Sequence, residues 1–474
     1  MKNSVIGRTK ERIRLQEIHG SGKPEFVAIY GRRRVGKTFL IRQMFENDFI
    51  FDLVGLANSN TEKQLLNFHI EINRSGKQEF DVVENWLLAF EQLRKLIEKS
   101  QRKRKIVFID EIPWLDTPHS GFISALEHFW NGWASSRNDV MLIVCGSATS
   151  WIINKLVNNR GGLHNRLTAT MHLHPFTLLE TELFLQSLGI EYSRYQIAEC
   201  YMTMGGIPYY LSKMKRGLSL SQNIDKLFFA HDADLKNEFN KLFASLFREN
   251  TDYIKVVEAL STKVKGLVRN EILETTQLKS GGTLSEILKN LESCGFIRRY
   301  ALPTKRKREV LYQLLDAYTL FYFRYLEKFD EQDEHFWTNL ANTPQRNVWA
   351  GYAFEILALQ HTNEIKKALG ISGIQTAIFA WRSDHATPAA QIDLVIDRKD
   401  GIVNLCEIKF SGTQFVIDKK YEENLRNKIA AFQTETKTRK AVHLLLLTTF
   451  GLQKTKYFSI AQKEVILEDL FTAP

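Results

Sequence analysis

The chain has 474 residues, enough at roughly 150 residues per domain for about three domains, which excludes a single small module. Its composition, 44% hydrophobic and 25% charged, excludes wholesale disorder and a fibrous repeat. A formal net charge of +10 points to a polyanionic partner, because clustered cations gain binding free energy by releasing counterions from phosphates; the excess falls in residues 1–175 and 346–474, while 176–345 is balanced.

Met1 to Arg14 carries scattered charges and no apolar core, so it does not read as a signal peptide. No segment is long and apolar enough to span a bilayer, and a cytoplasmic protein with no membrane partner is expected. Cys145, Cys200, Cys294 and Cys406 are far apart and read as small buried hydrophobes, not a zinc or redox set. His172 and His174 can share one strand face, but no acidic or cysteine ligand accompanies them, so a structural role is expected.

Glu25 to Tyr30 is a β-branched and aromatic run. It leads into Gly31-Arg32-Arg33-Arg34-Val35-Gly36-Lys37-Thr38 and then a helical apolar pattern through Leu40, Ile41 and Phe45. Strand, G-x-x-x-x-G-K-[ST] loop and helix in this order predict a phosphate cradle. Backbone amides and the helix N-terminus face the phosphates, Lys37 reaches the β and γ phosphates, and Thr38 ligates Mg²⁺. Lys105 to Asp110 predicts a strand covered on both faces that delivers Asp110 to the metal and Glu111 to the attacking water. Asp139 to Cys145 predicts a third strand, ending at Gly146-Ser147-Ala148-Thr149, where a small hydroxyl can sense the γ-phosphate. Arg160 or Arg166 can offer a guanidinium to the transition state, in cis or in trans.

Ile6-Gly7-Arg8 with Glu11, the phosphate loop, Phe108-Ile109-Asp110-Glu111, Gly146-Ser147, the Arg166 segment and Met204-Gly205-Gly206-Ile207-Pro208-Tyr209-Tyr210-Leu211 together resemble the AAA+-related ATPases of the STAND-like group. The resemblance covers roughly the first half of the chain. It implies that Gly7 and Arg8 lie near the adenine of ATP, that Ser147 or Thr149 is the sensor, that Arg166 is the preferred arginine finger, and that Gly205 to Tyr210 lies in a helical lid.

Residues 176–245 carry helical spacing broken at Gly205-Gly206. Between Thr251 and Gln313 the pattern predicts three helices and then two strands flanking Lys305-Arg306-Lys307-Arg308, the order of a winged helix. The helix from Leu284 to Cys294 is expected to expose Glu286 and Glu292 against Lys289 and Asn290, near neutrality, so that only the basic tip favours DNA over a protein-facing or spacer role. Tyr318, Phe321, Tyr322, Phe323 and Tyr325 are expected to bury one face of a connecting helix.

Beyond an acidic stretch from Glu327 to Glu334, a helix containing Glu355 precedes strands at Thr376 to Arg382, Gln391 to Arg398 and Ile402 to Phe410. The last two are joined by Lys399-Asp400-Gly401, and such a three-residue loop sets paired residue numbers to sum to about 800, placing Asp393 opposite Glu407. Facing carboxylates repel unless a cation lies between them, and Lys409 points to the same sheet face, so Asp393 and Glu407 are the candidate ligands of a Mg²⁺ that activates water at a phosphodiester. Glu355, Asp393, Glu407 and Lys409 resemble the PD-(D/E)xK nuclease core, and residues 346–474 look like the domain of unknown function often fused to archaeal-type ATPases; Ile392 stands where the family name has proline.

The expected architecture is α/β and multidomain. It comprises a P-loop parallel-sheet ATPase core (1–175), a helical lid (176–245), a winged helix (246–315), a connecting helix and linker (316–345) and a restriction-endonuclease-like α/β domain (346–474). The expected function is ATP hydrolysis with Mg²⁺ coupled to a metal-dependent DNA nuclease, with ATP and DNA as partners and a homo-oligomer or a protein partner left open. The alternative is an ATP-switched DNA- or protein-binding regulator whose nuclease-like part is inactive.

Overall fold

Unbroken apolar runs form strands buried on both faces of a parallel sheet, and the first part of the chain is built around them. The computed structural model describes residues 5–76, 79–159, 161–247, 249–263, 265–301, 310–330, 333–383 and 386–473. Arg160 and the basic tip Lys305 to Arg308 lie outside them. The chain divides into two compact units, Met1–Pro175 and Phe176–Pro474.

In the first unit, the described strands are β1 (Glu25–Tyr30), β2 (Phe49–Val54), β3 (Lys105–Asp110), β4 (Val140–Gly146) and β5 (Ala169–His172). They form a parallel sheet in the order β2-β3-β4-β1-β5. Every residue of β3 and β4 is buried. One face is covered by an aromatic-rich cluster in which Trp86 meets Phe122 edge-on at 4.9 Å and Phe90 stacks on Phe129 at 5.2 Å. Because β1, β4 and β3 are parallel neighbours, their carboxyl ends open on the same edge, where α/β sheets bind ligands.

The second unit begins with helices Leu178–Ser187 and Arg194–Met204; Gly205 and Gly206, both left-handed (φ 67° and 65°), end the second and turn the chain into Pro208–Leu211. Helices Thr251–Thr262, Arg269–Thr276 and Gly282–Ser293 accompany a three-stranded antiparallel sheet of β6 (Leu267–Val268), β7 (Ile297–Ala301) and β8 (Val310–Leu314), in the order β6-β8-β7. Val268 belongs to β6, where it pairs with Leu311. Asn290 also differs from expectation: it is buried and donates to the Tyr253 hydroxyl at 2.8 Å, so the exposed face of Gly282–Ser293 is poorer in amides than the sequence implied. The aromatic run is core, with Tyr318, Phe321 and Tyr325 buried and Trp337 and Trp349 packed on Phe321 and Tyr325.

The last part of this unit is a mixed sheet of β9 (Thr376–Arg382), β10 (Gln391–Arg398), β11 (Ile402–Lys409), β12 (Ala441–Thr448) and β13 (Lys463–Ile466), ordered β13-β12-β11-β10-β9 among the described residues. β9, β10 and β11 are antiparallel; β11, β12 and β13 run parallel, with helix Lys419–Thr436 as the crossover from β11 to β12. Helix Pro344–Gln360 lies ahead of them and presents Glu355.

His361 ties this region to the first helix of the unit. Its Nε2 accepts the Leu178 N–H at 3.0 Å while Nδ1 lies 2.8 Å from the Leu357 carbonyl, which requires the neutral ring protonated on Nδ1. Burial lowers its pKa from 6.5 to about 4. Between those values the unfolded chain takes up a proton that the folded ring refuses, so the stabilisation is intact above pH 6.5 and fades as pH falls toward 4, by about 3 kcal/mol in total. The second unit is therefore expected to lose stability over that window in urea titrations followed by hydrogen exchange of Pro344–Gln360. His361→Gln should flatten the dependence, and an unchanged slope would rule His361 out as its source.

Candidate functional site

At the open edge of the first sheet, Gly31 (φ 148°) follows β1 so closely packed that a Cβ there would lie 2.3 Å from the Leu173 carbonyl oxygen. Arg32 and Val35 are buried and Arg33 and Arg34 half-buried; Gly36 (φ 92°) then caps helix Lys37–Phe45. The Lys37 ammonium donates to the carbonyls of Gly31 (2.9 Å) and Arg32 (3.1 Å) and to the Ser147 hydroxyl (3.0 Å). Thr38 donates to Asp110 Oδ2 at 2.6 Å. Burial raises the Asp110 pKa, with the Thr38 hydrogen bond opposing it.

Glu111, in a left-handed conformation (φ 47°) just past β3, accepts two hydrogen bonds from one residue: the Ser147 hydroxyl to Oε1 at 2.8 Å and the Ser147 N–H to Oε2 at 3.1 Å. Lys37, Ser147 and Glu111 thus form one relay across three strand ends. Thr149, the other sensor candidate, is buried and lies 3.5 Å from the Ser147 carbonyl, so Ser147 is the hydroxyl brought to Lys37 and Glu111. Gly7 and Arg8 are both left-handed, and the buried Arg8 guanidinium donates to the Val35 carbonyl in the loop at 3.0 Å.

Arg166 is not brought into this group. It is exposed two residues before Thr168, whose N–H bonds Phe26 at the start of β1, whereas the loop follows the end of β1. At about 3.3 Å per residue, the six residues of β1 separate the two edges by about 17 Å. His172 and His174 have rings 4.0 Å apart, with His172 half-buried and His174 exposed. Burial first, then His174 and Lys37, lower His172 to about 4.

In the second unit, the pairing Leu394↔Cys406 through Asp397↔Val403 keeps the register sum of 800. β10 shifts register against β9 between Ile392 and Val395, so Asp393 sits at an irregularity, and its Oδ2 accepts the Ile408 N–H at 3.0 Å. The predicted carboxylates are divided between two lysines that the sequence did not nominate. Lys265 bridges Glu355 Oε2, at 2.7 Å, and Asp393 Oδ1. Lys428 donates to Glu407 Oε1 at 2.7 Å, the Tyr421 hydroxyl lies 3.3 Å from Oε2, and Lys409 stands further off at 3.7 Å.

Burial and the neighbouring Asp393 push Glu355 up to about 7. Burial opposes ionisation of Asp393 too, but Lys265 and Lys409 outweigh it and hold the carboxyl below its ordinary value. Among the described residues, no three His, Cys, Asp or Glu side chains form a metal-ligand cluster. Carboxylate oxygens are the hard donors that suit Mg²⁺, but those of Glu355 and Asp393 are closed around the Lys265 ammonium. Lys428 had a visible signal: it falls on the Tyr421, Leu425, Phe432 stripe of its helix, where a cation needs a partner. Lys265 had none.

Residues 6–214 match a family described as an ATPase domain predominantly from Archaea. With the P-loop, the Thr38–Asp110 contact and Glu111 assembled on one edge of a parallel sheet, this part of the chain is a P-loop ATPase domain. An uncharacterized protein of Methanocaldococcus jannaschii, MJECL04, is 27% identical over 365 residues, covering 76% of this chain and 78% of that protein. Solved structures similar to the chain include the Walker-type ATPase PABY2304 of Pyrococcus abyssi (17% identity, TM-score 0.49, 68% of this chain and 96% of that one). Another is the ORC2 protein of Aeropyrum pernix in ADPNP and ADP complexes (14% identity, TM-score 0.41, 69% and 96%). No helix among the described residues is long and apolar enough to cross a membrane.

Proposed function

We propose that the chain hydrolyses ATP with Mg²⁺ and that its nucleotide state governs a metal-dependent, DNA-directed site in residues 346–474. The Lys37–Ser147–Glu111 relay carries the ATPase half of this reading. Gly31 to Lys37 cradle the phosphates, Gly7 and Arg8 flank the adenine, and Thr38 and Asp110 would hold Mg²⁺, which when bound neutralises charge on the β- and γ-phosphates. Ser147 now satisfies both oxygens of Glu111. A γ-phosphate that takes the Ser147 hydroxyl as its own donor frees Glu111 Oε1 to accept a proton from water, so sensing and base activation are one event. Arg166, on the far edge of its own sheet, serves as an arginine finger to a second copy and not to its own site.

Residues 176–245 are the lid of this ATPase, 246–315 a winged helix and 316–345 its connection onward. Three helices with the β6-β8-β7 sheet support the winged-helix reading. The C-terminal half rests on Glu355, Asp393, Glu407 and Lys409: Asp393 and Glu407 would hold Mg²⁺, which when bound lowers the pKa of an attacking water, and Lys409 steadies the developing phosphate charge. Buried thiols at all four cysteines fit a cytoplasmic protein.

Plasmid and linear DNA incubated with Mg²⁺ or Mn²⁺, with and without ATP, should be cut by the wild type and not by Glu407→Gln. Equal cutting by both, or none by either, removes the nuclease half. One observation favours the alternative, an ATP-switched regulator: each of the three carboxylates of the site is already met by a lysine.

A further inference from the structure

Glu355, Asp393 and Glu407 are met by Lys265, Lys428 and Lys409, so that even with all three carboxylates ionised the negative charge does not exceed the positive. Such a set has no net attraction for a divalent cation, and adding one beside half-buried ammonium groups is opposed by like-charge repulsion. One cation must leave before another enters. Lys409 belongs to the same strand as Glu407, and Lys428 lies on the crossover helix that packs over it. Lys265 differs. It comes from a turn leading into β6, 90 residues from Glu355 and 128 from Asp393 in sequence, and its ammonium bridges Glu355 to Asp393, one of the two carboxylates that would hold the metal.

That turn is fixed by the three-stranded sheet, not by the carboxylates. The Tyr300 hydroxyl on β7 donates to the Lys265 carbonyl at 2.9 Å, and Gly266 (φ 91°) approaches β8 so closely that a Cβ would lie 2.6 Å from the Tyr312 carbonyl oxygen. The backbone of Lys265 therefore moves with β7 and β8, while its side chain ends in the carboxylate site.

We propose that Lys265 is a built-in substitute for the divalent cation of the C-terminal site, and that metal enters only when the β6-β8-β7 sheet withdraws it. The inference rests on the carboxylate-site reading given above. It makes metal loading respond to whatever engages that sheet, because a shift of β7 and β8 carries the ammonium out and frees the Asp393 carboxylate for a metal.

The test uses the full chain without nucleotide and Mn²⁺ as the probe, its binding read from the electron paramagnetic resonance of the free ion. Lys265→Met keeps the length of the side chain and removes its charge; it should bind Mn²⁺ about tenfold or more tightly than the wild type, as loss of a nearby like charge requires. Adding Asp393→Asn to that variant should abolish the gain, which separates this site from Thr38 and Asp110. The wild type gives a second reading that needs no folded variant: acylation of Lys265, followed by mass spectrometry, should speed up as Mn²⁺ is raised. Unchanged Mn²⁺ affinity in Lys265→Met, or Lys265 labelling indifferent to bound Mn²⁺, overturns the proposal whether or not DNA is cut. Tighter Mn²⁺ binding that Asp393→Asn removes, without any cutting, supports the proposal and defeats only the nuclease reading.

Discussion

Glu111→Gln is expected to retain ATP while turnover falls by about 10²-fold or more, the loss typical of removing a general base. The amide keeps one acceptor for the Ser147 hydroxyl and gains a donor where Oε2 now accepts the Ser147 N–H, so the side chain must turn but need not leave. Lys37→Ala should behave differently and lose nucleotide binding itself, because its ammonium is the charge held over the loop carbonyls. Fluorescent-nucleotide titration beside a phosphate-release assay separates the two. Wild-type turnover by Glu111→Gln would show that another group activates the water.

The largest effect on stability is expected at Glu407. Its carboxylate has no exposure to solvent and is paired with Lys428 and faced by Tyr421. Removing one partner of a buried ion pair strands the other charge, so Glu407→Ala should cost the second unit about 3–5 kcal/mol in chemical denaturation. Replacing both partners with apolar groups, Glu407→Leu with Lys428→Met, should recover much of that loss; a single alanine with wild-type stability would mean that Lys428 reaches water easily. Loss of DNA cutting in an alanine variant would therefore be ambiguous, which is why glutamine is the informative substitution in the cleavage assay.

The parts legible in the sequence were those governed by local pattern. β1, β3 and β4 are continuous apolar runs because both faces of the sheet are covered, and the β10–β11 register followed from loop length alone. β2 and β12 carry largely apolar runs whose ends no motif marks, and β13 is only four residues long and begins with Lys463 and Glu464, so none of the three stood out. At the candidate sites, the Thr38–Asp110 contact followed from the motifs, but the Ser147–Glu111 bonds depend on the left-handed turn at Glu111, which no propensity rule favours for glutamate. Lys265 was illegible for a different reason: nothing near it in sequence is acidic in the right place, and only folding carries it to Asp393.

The contact of Gly31 with Leu173 changes how a familiar kind of lesion should be interpreted here. The first glycine of a phosphate loop is usually regarded as space reserved for a ligand, yet here the carbonyl crowding it belongs to the chain beyond β5. An alanine at that position would push the end of β1 away from its neighbour before any nucleotide arrives. A strain carrying it would be short of protein, not merely of ATPase activity, and added nucleotide would not restore the yield.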